Sequence, residues 1–119
     1  MPLLSEKAKS HLILIIGQST CPACQIDHYA LQRFYIPWKS KGYQIVYVSI
    51  DDNEEDYKLF YSNDTWETYH NKKGWKSQLA KSLHLIATPT LFCFNSNMEL
   101  LKEAENAHQM HIWIESQLQ

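Results

Sequence analysis

The sequence lacks the features on which several protein classes depend. Only three of its 119 residues are cysteines, too few for a framework of disulfides. The longest uninterrupted aliphatic run, residues 12–16, is far shorter than the roughly 20 apolar residues that span a bilayer. A formal net charge of −2 is too small to indicate nucleic acid or a membrane surface as a partner.

The sequence also shows no internal repeat, low-complexity tract or linker. Its hydrophobic fraction of 45% and charged fraction of 20% are typical of a globular protein. A chain of 119 residues suits one compact domain, so we treat residues 1–119 as a single domain. The opening segment MPLLSEKAKS contains no long apolar stretch, and no signal peptide is predicted in this chain.

Apolar runs typical of buried strands alternate with helical patterns along the chain. Pro22 suits the first turn of a helix, whereas Pro37 and Gly42 should end that helix near residue 36. We expect strands at 11–17 and 43–50, helices at 22–36, 54–62 and 77–83, a hairpin over 88–103, and a closing amphipathic helix at 107–118. The first two strands are joined through a helix and should be parallel. This order predicts an α/β fold with a central mixed sheet of about four strands flanked by helices.

The clearest chemical motif is Cys21-Pro22-Ala23-Cys24, at the junction of the first strand and the first helix. A Cys-x-x-Cys can be a redox pair, half of a zinc site or two unrelated thiols. A zinc site needs two more ligands at conventional spacing, so no metal site is predicted. Disulfide exchange needs one attacking thiolate and a second thiol that resolves the mixed disulfide. The helix start favours a thiolate at Cys21, the predicted nucleophile, and the more enclosed Cys24 is the predicted resolving thiol.

Asp27 and His28 follow this motif on the same helix. At 100° per residue, Asp27 projects into the apolar arc, where burial should raise its pKa. A carboxyl group of raised pKa beside Cys24 can take the proton of that thiol. The alternative interpretation is an aspartate at a wet helix edge. His28 projects to the polar side and is expected to be exposed, and the acidic run at residues 51–56 is expected to be a solvated loop and helix start.

Several other residues have simpler interpretations. Cys93 lies between two phenylalanines in a predicted strand and should be a small buried apolar residue. His108 and His111 share a helix face, but no carboxylate or thiol accompanies them, so they are expected to be surface histidines. Trp66 and Trp75 are expected in the core or at its rim, with a substrate-facing surface as the alternative.

The sequence resembles thioredoxin-fold thiol–disulfide oxidoreductases, and most closely the TlpA/ResA-like group. The similarity covers about residues 12–118, and its motifs are Cys21 to Cys24, VYVSIDD at 46–52, the tryptophan-containing stretch at 65–85 and TPTLFCFN at 88–95. The resemblance implies a thioredoxin fold in which the Thr88-Pro89 bond is cis and faces the cysteines. In that group a glutamate usually stands at the place of Asp27, and an aromatic residue at the place of Thr20.

The resemblance also implies an enzyme that reduces protein disulfides while Cys21 and Cys24 become a redox disulfide. Asp27 would assist Cys24, and the substrate would contact Thr20, Pro22, Thr88 and Pro89. Backbone beside the active cysteine suits an extended client chain, which can pair in the manner of a strand. No cofactor is expected, because the cysteine pair carries the electrons. The expected partners are disulfide-containing client proteins and an upstream dithiol donor, with no nucleic acid.

Location and function each have an alternative. Members of the group usually carry an N-terminal strand pair that this chain lacks, so we expect a domain excised from a longer exported protein. A periplasmic or otherwise exported location is expected, and the cytoplasm is the alternative. One alternative function is a cytosolic thioredoxin- or tryparedoxin-like reductant. The other is an interaction module of the same fold whose cysteines have little turnover.

Overall fold

A computed structural model describes residues 11–117 of the protein. The strands are β1 (His11–Gly17), β2 (Tyr43–Ser49), β3 (Glu67–His70), β4 (Thr90–Asn95) and β5 (Leu100–Ala104). The α-helices are α1 (Pro22–Ser40), α2 (Glu54–Tyr61), α3 (Gln78–Ser82) and α4 (Ala107–Ser116), and Gly74–Lys76 forms one turn of 3₁₀ helix. The predicted end of the last helix, at Leu118, lies outside the described residues. Within the described range the strands form one mixed sheet of order β3-β2-β1-β4-β5.

The central strand β1 is the most deeply buried element of the fold. Residues 12–16 are each at most 1% exposed, as expected for a continuous aliphatic run covered on both faces. Ile13 and Ile15 point to the layer that contains α1 and α4, whereas Leu12, Leu14 and Ile16 point to the layer beside α3. Apolar residues on both faces of the strand therefore hold a helix layer on each side of the sheet.

Strand pairing brings two loops together at one edge of the sheet. β1 pairs with β2 in parallel, with Gly17 opposite Ser49, and pairs with β4 in antiparallel orientation. The loops that follow β1 and β2 therefore leave the sheet side by side. A side chain at Gly17 would collide with the buried hydroxyl of Tyr47, so only glycine fits where the chain leaves β1. The Cys-x-x-Cys motif lies immediately after this exit.

The sheet has five strands in the described residues, not the four expected from the sequence. The additional strand, β3, pairs in parallel with β2 from Val46 opposite Glu67 to Ser49 opposite His70. Its four residues, ETYH, are all partly buried and show no alternation of apolar and polar side chains. A short edge strand of this kind gives no period-2 signal in the sequence.

Helix α1 continues through Pro37, which was expected to end it, and reaches Ser40. Proline removes one backbone hydrogen bond, but the turn around it is held by tertiary packing. Trp38 is fully buried, stacks on Phe34 with ring centroids 5.5 Å apart, and donates its Nε1–H to Nδ1 of His111 on α4 at 3.1 Å. Packing between α1 and α4 therefore stabilises the last turn of a helix that local sequence would have stopped.

Candidate active site

Cys21 is the N-cap residue of α1, in agreement with its predicted position at the helix start. Its Sγ accepts a hydrogen bond from the backbone N–H of Cys24 at 3.2 Å. Pro22 occupies the first turn, where its missing N–H costs no helical hydrogen bond. Cys21 is partly exposed, Cys24 is 1% exposed, and both are free thiols. One thiol is accessible to a partner and the other is enclosed.

The two thiols have opposite pKa shifts. Partial burial alone would raise the pKa of Cys21, but hydrogen bonds with the side chains of Cys24 and Thr88 and with the backbone of Cys24 outweigh this effect and hold its pKa below the ordinary value. Burial raises the pKa of Cys24 to about 12, and its hydrogen bond with Cys21 adds to the rise. Cys21 is therefore the better thiolate of the pair, and Cys24 keeps its proton until a base removes it.

The Thr88-Pro89 bond is cis, which confirms the expectation from the family resemblance. Sγ of Cys21 donates a hydrogen bond to the carbonyl oxygen of Thr88 at 3.5 Å. The cis bond thus lies directly opposite the accessible thiol. Thr20 is exposed and lines a separate shallow cleft with Leu59 and Phe60.

A groove of about 860 Å³ lies beside the cis bond, and we call it the cis-proline groove. One wall is α1, from Ala23 to Arg33, and the other comprises residues 86–90, 103–106 and 108. Ile26, Tyr29 and Ile86 line it while 74%, 74% and 92% exposed. Large exposed apolar side chains that line one groove are typical of a surface that contacts another molecule.

Asp27 lies on the packed side of α1, as predicted, and is 7% exposed. Its Oδ1 accepts the backbone N–H of Ala107, the first residue of α4, at 2.8 Å. Burial raises the pKa of Asp27, although the hydrogen bond from Ala107 and the charges of His108 and His28 oppose the rise. Asp27 also lines the cis-proline groove. Within the described part of the chain no hydrogen bond joins it to Cys24.

The prediction that His28 is exposed was wrong, because the side chain is 8% exposed. Its Nε2 lies 2.8 Å from Oδ1 of Asp64, and the rings of Phe60, Tyr61 and Trp66 surround it with centroids 4.8 to 5.8 Å away. The prediction used only the angular position of His28 on α1 and took no account of elements that pack against that helix. The segment from α2 to β3 covers the flank of α1 that the projection had assigned to solvent.

The burial of Asp51 was not predicted, because the acidic run at residues 51–56 was expected to be solvated. Asp51 is 2% exposed, and its carboxylate accepts hydrogen bonds from Ser19 and Ser49. The available signal was its position directly after a strand parallel to β1. The carboxyl ends of neighbouring parallel strands meet at one edge of a sheet, so a polar residue there can reach the loop that carries Cys21.

The remaining expectations concern residues away from the cysteine pair. Cys93 is fully buried, and burial raises its pKa to about 12, which confirms its interpretation as an apolar core residue. His108 is exposed, as expected, whereas His111 is partly buried against α1. Trp66 is buried and Trp75 is 40% exposed, consistent with core and rim positions. Among residues 11–117 no group of His, Cys, Asp and Glu side chains is arranged to hold a metal ion.

A cysteine pair at a helix N-terminus, opposite a cis proline on a mixed sheet with helices on both faces, defines the thioredoxin-like class. The thioredoxin-like family model matches residues 10–100, and the chain belongs to that family. It is 27% identical over 105 residues to the tryparedoxin of Trypanosoma brucei brucei, covering 80% of this chain and 73% of that protein.

Solved structures have the same fold. StoA of Bacillus subtilis matches with a TM-score of 0.73 and 26% identity, over 88% of this chain and 82% of that chain. The thioredoxin domain of a thiol-disulfide oxidoreductase from Bacteroides vulgatus matches with a TM-score of 0.83 and 19% identity, over 98% and 84% of the two chains. The protein is thus a thioredoxin-like thiol–disulfide oxidoreductase, and the family resemblance inferred from its sequence is confirmed. No helix within residues 11–117 is long and apolar enough to cross a membrane.

Proposed function

We propose that the protein reduces disulfides of client proteins with the Cys21–Cys24 dithiol. The observation that carries the proposal is the contrast between the two thiols. Cys21 is accessible, has a lowered pKa and lies opposite the cis Thr88-Pro89 bond, whereas Cys24 is enclosed and has a pKa of about 12. This contrast suits a reaction in which one thiol attacks a partner and the other acts only afterwards.

The reaction has two exchange steps. The Cys21 thiolate attacks one sulfur of the client disulfide, forms a mixed disulfide, and releases the other client sulfur as a thiolate that takes a proton from water. Cys24 then loses its proton, and its thiolate attacks the sulfur of Cys21. The second client thiolate leaves and Cys21–Cys24 becomes a disulfide. Two electrons pass from the dithiol to the client, and an upstream dithiol donor must restore the reduced pair.

Asp27 is the proposed acceptor for the proton of Cys24. It is buried on the same helix, three residues after that thiol, and its raised pKa makes it a better base than an exposed aspartate. Its Oδ1 is held by the N–H of Ala107, so Oδ2 is the oxygen left for the proton. Because the side chain makes no direct hydrogen bond with Cys24, the transfer needs a bridging water or a rotation of the carboxyl group.

The proposed client site is the cis-proline groove together with the edge of residues around Cys21. An extended client segment would pair with the backbone at Thr88 and contact Thr20, Pro22 and Pro89, while its apolar side chains cover Ile26, Tyr29 and Ile86. No cofactor takes part in this scheme, because the cysteine sulfurs carry the electrons. An exported, periplasmic setting stays our prediction from the resemblance to the TlpA/ResA-like group, with the cytoplasm as the alternative.

Three cysteine variants test the proposal. Cys21→Ser should lower reduction of a model protein disulfide to the uncatalysed rate, and Cys24→Ser should accumulate mixed disulfides with client proteins in a lysate. Cys93→Ala is the matched control, since it removes a buried thiol remote from the motif and should leave the rate per folded molecule unchanged. Equal rates for Cys21→Ser and wild type would overturn the proposal. A Cys21 pKa near the ordinary value of about 8.5 without exchange activity would favour an interaction module.

A further inference from the structure

We propose that Asp51 positions the nucleophile: its buried carboxylate holds the loop that carries Cys21 against the end of β2. The inference rests on the proposed function, because it takes Cys21 as the attacking thiol. Asp51 does not touch the reacting sulfur. It acts through Ser19, two residues before Cys21, and is a positioning residue.

The carboxylate of Asp51 is saturated with short hydrogen bonds. Its Oδ1 accepts the backbone N–H of Ser19 at 2.8 Å and the hydroxyl of Ser19 at 2.9 Å. Its Oδ2 accepts the hydroxyl of Ser49 at 2.6 Å. Asp51 is 2% exposed, so each of these contacts is shielded from water. A buried carboxylate costs free energy unless donors surround it, and here two of the three donors belong to the active-site loop.

Ser19 is fixed at all of its polar groups. Its N–H and hydroxyl bind Asp51, and its carbonyl oxygen accepts the side-chain amide of Gln25 on α1 at 2.8 Å. The next turn is closed by the N–H of Cys21, which donates to the carbonyl of Gln18 at 3.3 Å. The backbone on both sides of the exposed Thr20 is therefore tied to the fold.

Asp51 is itself held from the opposite side. A ring nitrogen of His70, the last residue of β3, lies 2.8 Å from the carbonyl oxygen of Asp51. The backbone N–H of Asp51 donates to the hydroxyl of Ser49 at 3.0 Å, and the N–H of Ile50 donates to the carbonyl of Gly17 at 3.0 Å. A continuous set of hydrogen bonds thus connects β3 and β2 to the segment that leads into the motif.

The chemistry of Cys21 depends on this placement. Hydrogen bonds with Cys24 lower the pKa of Cys21: the Cys24 side chain contributes, and so does its backbone N–H, a donor 3.2 Å from Sγ at the N-terminus of α1. A loop released from Asp51 lets the sulfur move away from that donor, and the fraction of thiolate at neutral pH falls. Thr20, the residue directly before Cys21, is exposed, so the hydrogen bonds at Ser19, and not burial of Thr20, fix this part of the loop.

The experiment compares two serines that donate to the same carboxylate. Ser19→Ala removes the donor in the active-site loop, and Ser49→Ala removes the donor in β2. The pH dependence of Cys21 alkylation by iodoacetamide is followed by mass spectrometry, with thermal unfolding in parallel. For Ser19→Ala the pH midpoint of Cys21 alkylation should rise by about half a pH unit, equal to about a threefold loss of thiolate at neutral pH. For Ser49→Ala the midpoint should stay at the wild-type value, although stability falls in both.

Asp51→Asn should raise the midpoint further, by about one unit, or about tenfold in thiolate. Because this change also removes a negative charge, which by itself would lower the pKa of Cys21, the charge-neutral Ser19→Ala is the decisive variant. It decides the question even if Asp51→Asn fails to fold. Equal midpoints in wild type, Ser19→Ala and Asp51→Asn, or equal shifts for both serine variants, would overturn the positioning role. A wild-type midpoint at the ordinary thiol value would instead count against the proposed function.

Discussion

Asp27 and His28 are neighbours on one helix, are almost equally buried, and have different surroundings. Asp27 is 7% exposed and His28 is 8% exposed. Asp27 faces the cis-proline groove, next to the N-terminus of α4, whereas His28 is enclosed by aromatic rings with Asp64 as its partner. Burial of a titratable group one turn from Cys24 therefore does not by itself indicate that the group takes part in the reaction. What separates the two residues is access to the cis-proline groove, which Asp27 lines and His28 does not.

The two flanks of α1 also differ in how their polar groups are compensated. The carboxylate of Asp64 has His28 at 2.8 Å and the Thr68 hydroxyl at 3.4 Å, and Nδ1 of His28 has no hydrogen-bond partner among residues 11–117. Asp27 needs no ionic partner, because a backbone N–H at the start of a helix supplies its hydrogen bond. We infer that the His28 flank stabilises the fold and that the Asp27 flank serves the reaction.

The largest effect is expected from His28→Ala. The substitution leaves the Asp64 carboxylate buried without its partner and opens a gap inside the ring cluster, so the free energy of unfolding should fall by about 3 kcal/mol. The rate of disulfide reduction per folded molecule should stay within about twofold of wild type. Urea unfolding and a reduction assay well below the melting temperature measure the two quantities.

Asp64→Asn is the companion variant for this flank. It keeps the side-chain shape and a hydrogen-bonding group near Nε2 of His28, so its stability loss should be smaller than that of His28→Ala. A reduction rate that falls with either substitution, at unchanged folding, would show that the His28 flank takes part in the reaction and would remove the contrast with Asp27.

The next effect in size is expected from Asp27→Asn. Asparagine can still accept the N–H of Ala107 but cannot take a proton from Cys24, so resolution of the mixed disulfide should slow by about 100-fold. The initial attack by Cys21 should keep its wild-type rate, and stability should change little. Rapid-mixing measurements with a labelled disulfide separate the two steps. Glu103→Gln is the control, since it removes an exposed carboxyl group that lines the same groove.

Equal slowing of attack and resolution in Asp27→Asn would contradict a role as proton acceptor. It would indicate instead that the substitution disturbs the packing of α1 against α4, through the contact with Ala107. In that case Asp27 would join His28 as a residue that only stabilises the fold.

The sequence was sufficient for those features that depend on one element or on the family pattern. The burial of Asp27 follows from its phase on α1, and the cis bond at Thr88-Pro89 follows from the resemblance, since local sequence does not distinguish it from a trans bond. Features that depend on a second element were missed. His28 is covered by residues distant in sequence, and β3 is recognisable as a strand only through its pairing with β2.

The burial of Asp51 was missed for the same physical reason. A run of acids after a strand has the composition of a solvated loop, and its charge gives no indication of inward orientation. Inward orientation requires donors at the correct place, and two of the three come from Ser19, 32 positions earlier in the chain. A single sequence shows each partner but not that the two parallel strands align them.

The smallest effect concerns how stability depends on pH. Burial raises the pKa of Asp27 above its ordinary value of 3.8, so the folded state holds this proton more tightly than the unfolded state. The stability contributed by protonated Asp27 is fully present below the unfolded pKa and is lost as pH rises through the folded pKa. Asp27→Asn lacks this loss, so the melting temperature of the variant minus that of wild type should increase with pH, by about 2 °C in total.

Thermal unfolding of wild type, Asp27→Asn and Glu103→Gln measures the effect, from below the ordinary pKa of 3.8 up to neutral pH. Subtracting the curve of Glu103→Gln isolates the contribution of burial, because that variant removes an exposed acid of the same groove. The opposite result would be a melting-temperature difference, Asp27→Asn minus wild type, that decreases as pH rises. It would mean that the N–H of Ala107 stabilises the carboxylate more than burial disfavours it. The pKa of Asp27 would then be depressed, and a weakly basic carboxylate could not draw the proton from a thiol as enclosed as Cys24.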